Sequence, residues 1–365
     1  MKKIILFYLT VLTALPATSQ QRISLLFAGD AMQHLPQINS AKTDSGYNYS
    51  SCFQYIKDEI SAADIAVINL ETTHAGAPYR GFPAFSAPDK FSAALQEAGF
   101  DIFLTCNNHS ADQGKKGINR TIDVLDSLQI KHTGTFKNLQ QRKLFYPLII
   151  IKNGIRLAFL NYTYGTNGIA VEAPTIVNII NDKQIMEDIE EAKRYKPDMI
   201  IACMHWGVEY QRQPNNEQRR LAKLMTENGV GVIIGSHPHV IQPIEAKTDE
   251  KGQIGHIVAY SLGNFISNQN SRYTDSGAII RIELEKDEEK TIISNCSYSL
   301  AWRYRYPENN KKHYTILPAS FYENKQEVIQ PTLRQAMKQS MDDARSLLDK
   351  HNINVSYCEY AKTDE

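Results

Sequence analysis

Cysteine is scarce in this chain and forms no pattern. Cys52, Cys106, Cys203, Cys296 and Cys358 are scattered and odd in number, with no C-x-x-C pair. A disulfide framework is therefore not expected. Cys106 and Cys203 fall in apolar runs and read as small buried hydrophobes. Net charge is also missing: 40 Lys and Arg balance 40 Asp and Glu. That excludes a general attraction to nucleic acid or to an anionic membrane surface. Any anionic ligand must be held by a local cluster or by metal. Long hydrophobic runs, internal repeats and low-complexity linkers are absent. The apolar run at residues 4–15 is too short to span a bilayer comfortably. With Lys2 and Lys3 before it and Ala17-Thr18-Ser19 after it, residues 1–19 read as an export signal cleaved near Ser19. No Cys follows closely, so a lipoprotein signal is not supported. The mature chain is expected to be periplasmic or surface-associated, with no transmembrane span. What is present is apolar content, 42% of 365 residues, enough for a sizeable core.

Apolar runs alternate with helical patterns. Residues 23–28, 65–70, 102–106, 199–204, 230–235, 256–261 and 278–284 are strand-like. Between them, helical spacing is found at 50–62 and from Pro88-Asp89 to Gly99, with Phe91, Leu95 and Ala98 on one face. It recurs around Ile118, Ile122 and Leu125, around Ile185, Ile189 and Ala192, and over 217–228. Continuous apolar strands between helices imply strands buried on both faces in a layered α/β fold. Asn153-Gly154, between runs at 148–152 and 155–162, is a type I′ hairpin signal and adds antiparallel pairing. Composition shifts in the charged stretch 286–290. One domain is expected over 20–285, followed by an extension over 286–365. The extension ends in a helix at 331–350 that packs through Leu333, Met337, Met341 and Leu348.

Five polar clusters fall just past apolar runs: Asp30, Glu71, Asn107-Asn108-His109, His205-Trp206-Gly207 and His237-Pro238-His239. In open α/β sheets the carboxyl ends of the strands are where ligands bind. Carboxylate, amide oxygen and imidazole without thiolate suit Mn, Fe, Zn, Mg or Ca. His237 and His239 are two apart, so an extended segment would point both rings the same way, and Pro238 biases His237 towards extended backbone. Each cluster alone has an ordinary reading as a turn, a packed histidine or a helix cap. The ordered set is far more specific.

In that order the motifs resemble the metallophosphoesterase superfamily, and more closely its poly-γ-glutamate capsule biosynthesis branch, the CapA family. The matching stretches are Phe27-Ala28-Gly29-Asp30, Asn69-Leu70-Glu71, Asn107-Asn108-His109 with Asp112 and Gly114, residues 162–168, His205-Trp206-Gly207, residues 235–240 and residues 261–265. The resemblance covers about residues 23–270 and implies a calcineurin-like sandwich of mixed sheets flanked by helices. It also implies two divalent ions (Mn, Fe, Zn or Mg). Asp30 and His239 would hold one, Asn108, His205 and His237 the other, and Glu71 would bridge them. His109 would be the catalytic histidine, oriented by Asp112; an ordinary imidazole pKa of about 6.5 suits proton transfer near neutral pH. Two departures stand out. Met32 occupies the place where the superfamily has a histidine, and a thioether is a poor ligand for hard metals. Glu71 stands where phosphatases carry Asp.

Substrate contacts are expected from Arg80 in the loop 74–88, which also carries Tyr79, Phe82 and Phe85, and from Arg212, Arg272 and Asn264. Arg suits carboxylate or phosphate. The implied function is an exported metal-dependent hydrolase or transferase for capsule or envelope polymer, working on an anionic polymer or small substrate alongside capsule synthesis or export machinery. The alternatives are a non-catalytic assembly or export subunit that binds polymer, and a periplasmic phosphoesterase.

Overall fold

Burial on both faces of the strands dictates the layering. The computed structural model describes residues 21–288, 290–308 and 311–358; the expected export signal lies outside them. The main strands are β1 (Gln21–Met32), β2 (Ile65–Glu71), β3 (Ile102–Leu104), β4 (Lys131–Thr133), β5 (Leu148–Lys152), β6 (Ile155–Thr163), β7 (Met199–His205), β8 (Val232–Ser236), β9 (Ile254–Ala259), β10 (Ser276–Lys286), β11 (Thr291–Glu308) and β12 (Lys311–Pro318). The longer helices are α1 (Lys90–Glu97), α2 (Gly114–Ser127), α3 (Asp182–Arg194), α4 (Asn216–Glu227) and α5 (Pro331–His351).

The principal sheet runs β4-β3-β2-β1-β10-β11-β9-β8-β7-β6-β5. β4 to β1 pair in parallel, as do β9 to β6. The antiparallel pair β10–β11 joins the two parallel halves. Ile23, Leu25 and Phe27 of β1 share one core with Leu157 and Phe159 of β6, Ile201 of β7 and Ile234 of β8, so the halves face each other. The alternate residues Leu26 and Ala28 pack outward with Ile60, Phe91 and Leu95. Ile200, Ala202 and Ile233 pack outward with Ile189, Leu221 and Met225 of the helices on the other side. The result is helix, sheet, sheet, helix, the metallophosphoesterase-like sandwich expected from the sequence.

The Asn153-Gly154 hairpin forms with φ of 48° and 77°, as a type I′ turn requires. Residues 50–62 are not one helix: short helices Ser50–Phe53 and Lys57–Ser61 flank a break. Cys52, Phe53, Ile56 and Ile60 nonetheless all enter the outer core, so burial outweighs helix continuity there. β11 lies within the sheet between β10 and β9. Against it α5 buries Met337, Met341 and Leu348, with Leu333 partly buried. Among the described residues no helix is long and apolar enough to cross a membrane.

Candidate metal centre

The carboxyl ends of both parallel halves converge at one end of the sandwich. Side chains reach it by strand phase. In β1 the inward residues are Ile23, Leu25 and Phe27, so simple alternation would turn Asp30 outward. A bulge intervenes: Ala28 pairs with Ile68 but Asp30 with Asn69, leaving Gly29 unmatched. A Cβ on Gly29 would stand 1.9 Å from the Gly263 carbonyl oxygen, so only glycine permits this approach. Asp30 N then donates to Gly263 O at 3.0 Å. The strand runs on through Asp30 to Met32 rather than ending before it, and Met32 lies in register with Glu71.

Glu71, the last residue of β2, is fully buried, and neither carboxylate oxygen has a hydrogen-bond partner among the described residues. Its Oε1 lies 3.8 Å from His205 Nε2, 3.8 Å from His239 Nε2 and 4.0 Å from His109 Nε2. Burial, followed by Asp30, Glu209 and Asp112, holds its pKa well above the usual carboxylate range. A buried carboxyl group with no donor, ringed by imidazole nitrogens just beyond hydrogen-bond reach, fits a site where a cation takes the proton's place. His205, ending β7, sets Nε2 2.9 Å from Asn108 Oδ1, and its Nδ1 meets Ser236 Oγ at 2.9 Å. One oxygen of Asp30, one of Glu71 and a nitrogen of His205 lie within 4.8 Å of one another. Burial, then the neighbouring His237, His239 and His109, keeps His205 neutral; burial and then His239 and His109 push His237 down to about 3. Neutral imidazole is the form that binds metal. The donor set of carboxylate, amide and imidazole therefore fits divalent ions.

The His237–His239 pair converges by a route other than an extended segment. Both residues have positive φ, 96° and 58°, and follow the end of β8 in a tight turn. Their rings lie 6.0 Å apart. Non-glycine residues rarely occupy this region and do so at functional sites. His239 Nδ1 is 3.2 Å from Asp30 Oδ2 and 3.1 Å from Asn264 Oδ1, which leaves Nε2 for the centre.

The Asn107–His109 loop follows β3 and is tied back by Asn107 Nδ2 donating to Leu70 O at 2.8 Å. His109 Nδ1 lies 2.8 Å from Asp112 Oδ2, which also accepts from Phe85 N at 2.7 Å. Phe85 packs its ring 4.6 Å from that of His109.

The sequence profile of the bacterial capsule synthesis protein family PGA_cap matches residues 24–269. The chain belongs to this family. It is 29% identical over 284 residues to "PGA biosynthesis protein CapA" of Bacillus subtilis, covering 74% of this chain and 70% of that protein. It is 29% identical over 282 residues to "Capsule biosynthesis protein CapA" of Bacillus anthracis, covering 75% of this chain and 66% of that one. In fold it is similar to the NAD nucleotidase of Haemophilus influenzae, with a TM-score of 0.50, 11% identity, and coverage of 94% of this chain and 65% of that one.

In this PGA_cap member Asp30, Glu71, Asn108, His109, Asp112, His205, His237, His239 and Asn264 come together. Arg212 and Arg272 are engaged elsewhere. Arg80 is exposed on its loop. Arg212 stacks on Tyr273, 4.1 Å from the ring centre, and bonds the Asp343 carbonyl; Arg272 forms a two-pronged pair with the Asp343 carboxylate at 3.0 and 2.8 Å. Both are thereby engaged with α5. Phe85 is buried as a wall of the site, while Phe82 is exposed. His34, near Phe85, accepts from Asn268 N at 3.3 Å, and burial pushes it down to about 4. Sequence reasoning misses Glu209. Its only signal is its place four residues after His205, in the same strand-end loop.

Proposed function

We propose that this protein is an exported, metal-dependent hydrolase or transferase acting on an anionic capsule or envelope polymer of the poly-γ-glutamate type. Family membership supports the polymer. The observation that carries metal dependence is the Glu71 carboxylate, buried and without a donor, facing three imidazole nitrogens at 3.8–4.0 Å. Asp30 and His239 would hold one ion, Asn108, His205 and His237 the other, with Glu71 between them. Divalent ions there supply Lewis acidity and acidify bound water. The side chains do the rest. His109 turns Nε2 to the cluster and carries the proton that the leaving amine or oxygen takes when its bond to the acyl or phosphoryl centre breaks. Asp112 holds the opposite nitrogen and so selects the tautomer. Tyr164, its ring 4.5 Å from that of His237, forms one side of the mouth. Export is inferred from residues 1–19.

The test is elemental analysis of the mature protein beside Glu71→Ala and His237→Ala, with γ-linked glutamate polymer as substrate and His109→Ala as control. Metal in the wild type, its loss in the first two variants, and turnover lost with metal retained in His109→Ala support the reading. No metal after supply of Mn, Zn and Fe sinks it. Metal with polymer binding but no turnover favours an assembly or export subunit. Turnover of an aryl phosphate alone favours a phosphoesterase.

A further inference from the structure

Glu209 lies outside the ordered motif set, yet the fold delivers it to the centre. Gly207, with φ of 90°, turns the chain sharply after His205 and Trp206. Tyr210 N then donates to Pro238 O at 2.8 Å and fastens this loop to the His237–His239 turn. As a result one carboxylate oxygen of Glu209, one ring nitrogen of His237 and one of His239 lie within 4.8 Å of one another. Glu209 is exposed, whereas both histidines are buried.

An independent observation points to a cation in this trio. His237 is only 3% exposed, and its Nδ1 is buried without any hydrogen-bond partner among the described residues. A buried polar nitrogen left unpaired is costly unless something coordinates it. The chemistry of two imidazoles and one carboxylate suits Mn, Fe or Zn and leaves open positions for substrate.

We propose that Glu209 is a metal ligand at the solvent mouth of the site, where it gathers His237 and His239 around the outer of the two ions, in place of the division of ligands that the family resemblance implies. This rests on the metal-dependent reading above. The inner position, around Asp30, Glu71 and His205, is fully buried; the outer one is open on the Glu209 side. The inner ion therefore binds more tightly and exchanges more slowly. Met32, beside Glu71 in register, offers the inner end only a thioether, so the outer carboxylate supplies a hard ligand that β1 does not.

The experiment is calorimetric titration of the metal-stripped mature protein with Mn²⁺, with ion counts checked by mass spectrometry, in wild type, Glu209→Gln and Glu71→Gln. The expected wild type shows two steps of different affinity. Glu209→Gln loses the weaker step, shifting it by more than the roughly 10–100-fold typical of losing a supporting residue, and keeps the tight step. Its melting temperature without metal stays at the wild-type value, because the side chain is exposed. Retention of both steps in a folded Glu209→Gln overturns the proposal while leaving the metal reading intact. Absence of Mn²⁺ binding in the wild type overturns both. As a second variant, Glu209→Asp should bind the outer ion more weakly than wild type but better than Glu209→Gln; equal binding by all three also overturns the proposal.

Discussion

Asp112 Oδ2 lies 2.8 Å from His109 Nδ1 and accepts Phe85 N at 2.7 Å. One carboxylate thus fixes both a ring and the loop that walls it, and directs His109 Nε2 towards Glu71, 4.0 Å away. Asp112→Asn retains an oxygen for Phe85 but no longer requires the same imidazole tautomer. Turnover of γ-linked polymer should fall about 10–100-fold, with the metal count unchanged by mass spectrometry. Unchanged turnover would remove Asp112 from the mechanism.

Gly29 supplies a test of the bulge. A methyl group there would meet backbone, 1.9 Å from Gly263 O and 2.9 Å from Gly263 C. Gly29→Ala should cost at least about 1–3 kcal/mol in denaturant unfolding and reduce bound metal by displacing Asp30. Gly165 provides the control, because a methyl group there would meet nothing within 4 Å; Gly165→Ala should stay within about 0.5 kcal/mol of wild type.

Glu59 couples stability to pH away from the centre. It is 3% exposed, accepts a hydrogen bond from Ser299 Oγ through Oε1, and has no hydrogen-bond partner on Oε2 among the described residues. Burial raises its pKa above the ordinary carboxylate value, against the opposing influence of Ser299 and Arg281. The folded state therefore holds the proton more tightly than the unfolded state. Stability from this group is fully present below the unfolded pKa and is lost as pH rises through the folded one. Glu59→Gln should melt a few degrees above wild type at pH 8 and converge with it near pH 4. A variant less stable than wild type at pH 8 would refute the assignment.

Metal removal should destabilise the fold, because Asp30 and Glu71 are buried and Glu71 has no hydrogen-bond partner among the described residues. Chelation is expected to lower the melting temperature, and Mn²⁺ at about 100 times its Kd should restore roughly 2.7 kcal/mol. The same addition should do little for Glu71→Gln. A chelator-insensitive melting temperature in metal-loaded wild type would contradict the coupling.

The sequence by itself determined whatever depends on short-range geometry and on burial pattern. Asn153-Gly154 specified its turn through backbone conformation alone. Runs such as 23–28 and 199–204 are apolar at nearly every position, and only strands covered on both faces need that, so the layering was legible too. The order of Asp30, Glu71, Asn108, His205 and His237 at run ends was likewise visible. Tertiary structure decided how these residues meet. Asp30 faces inward only because Gly29 bulges against Gly263, a residue far along the chain. His237 and His239 converge through positive φ rather than extended backbone, a conformation that sequence spacing does not encode. Glu209 reaches them because Tyr210 bonds Pro238, and Arg212 is drawn to Asp343 of a distant helix. Periodicity reports which face of an element is buried; which side chains share a site depends on long-range strand pairing and backbone bonds between loops, and those exist only once the two halves of the sheet have closed on each other.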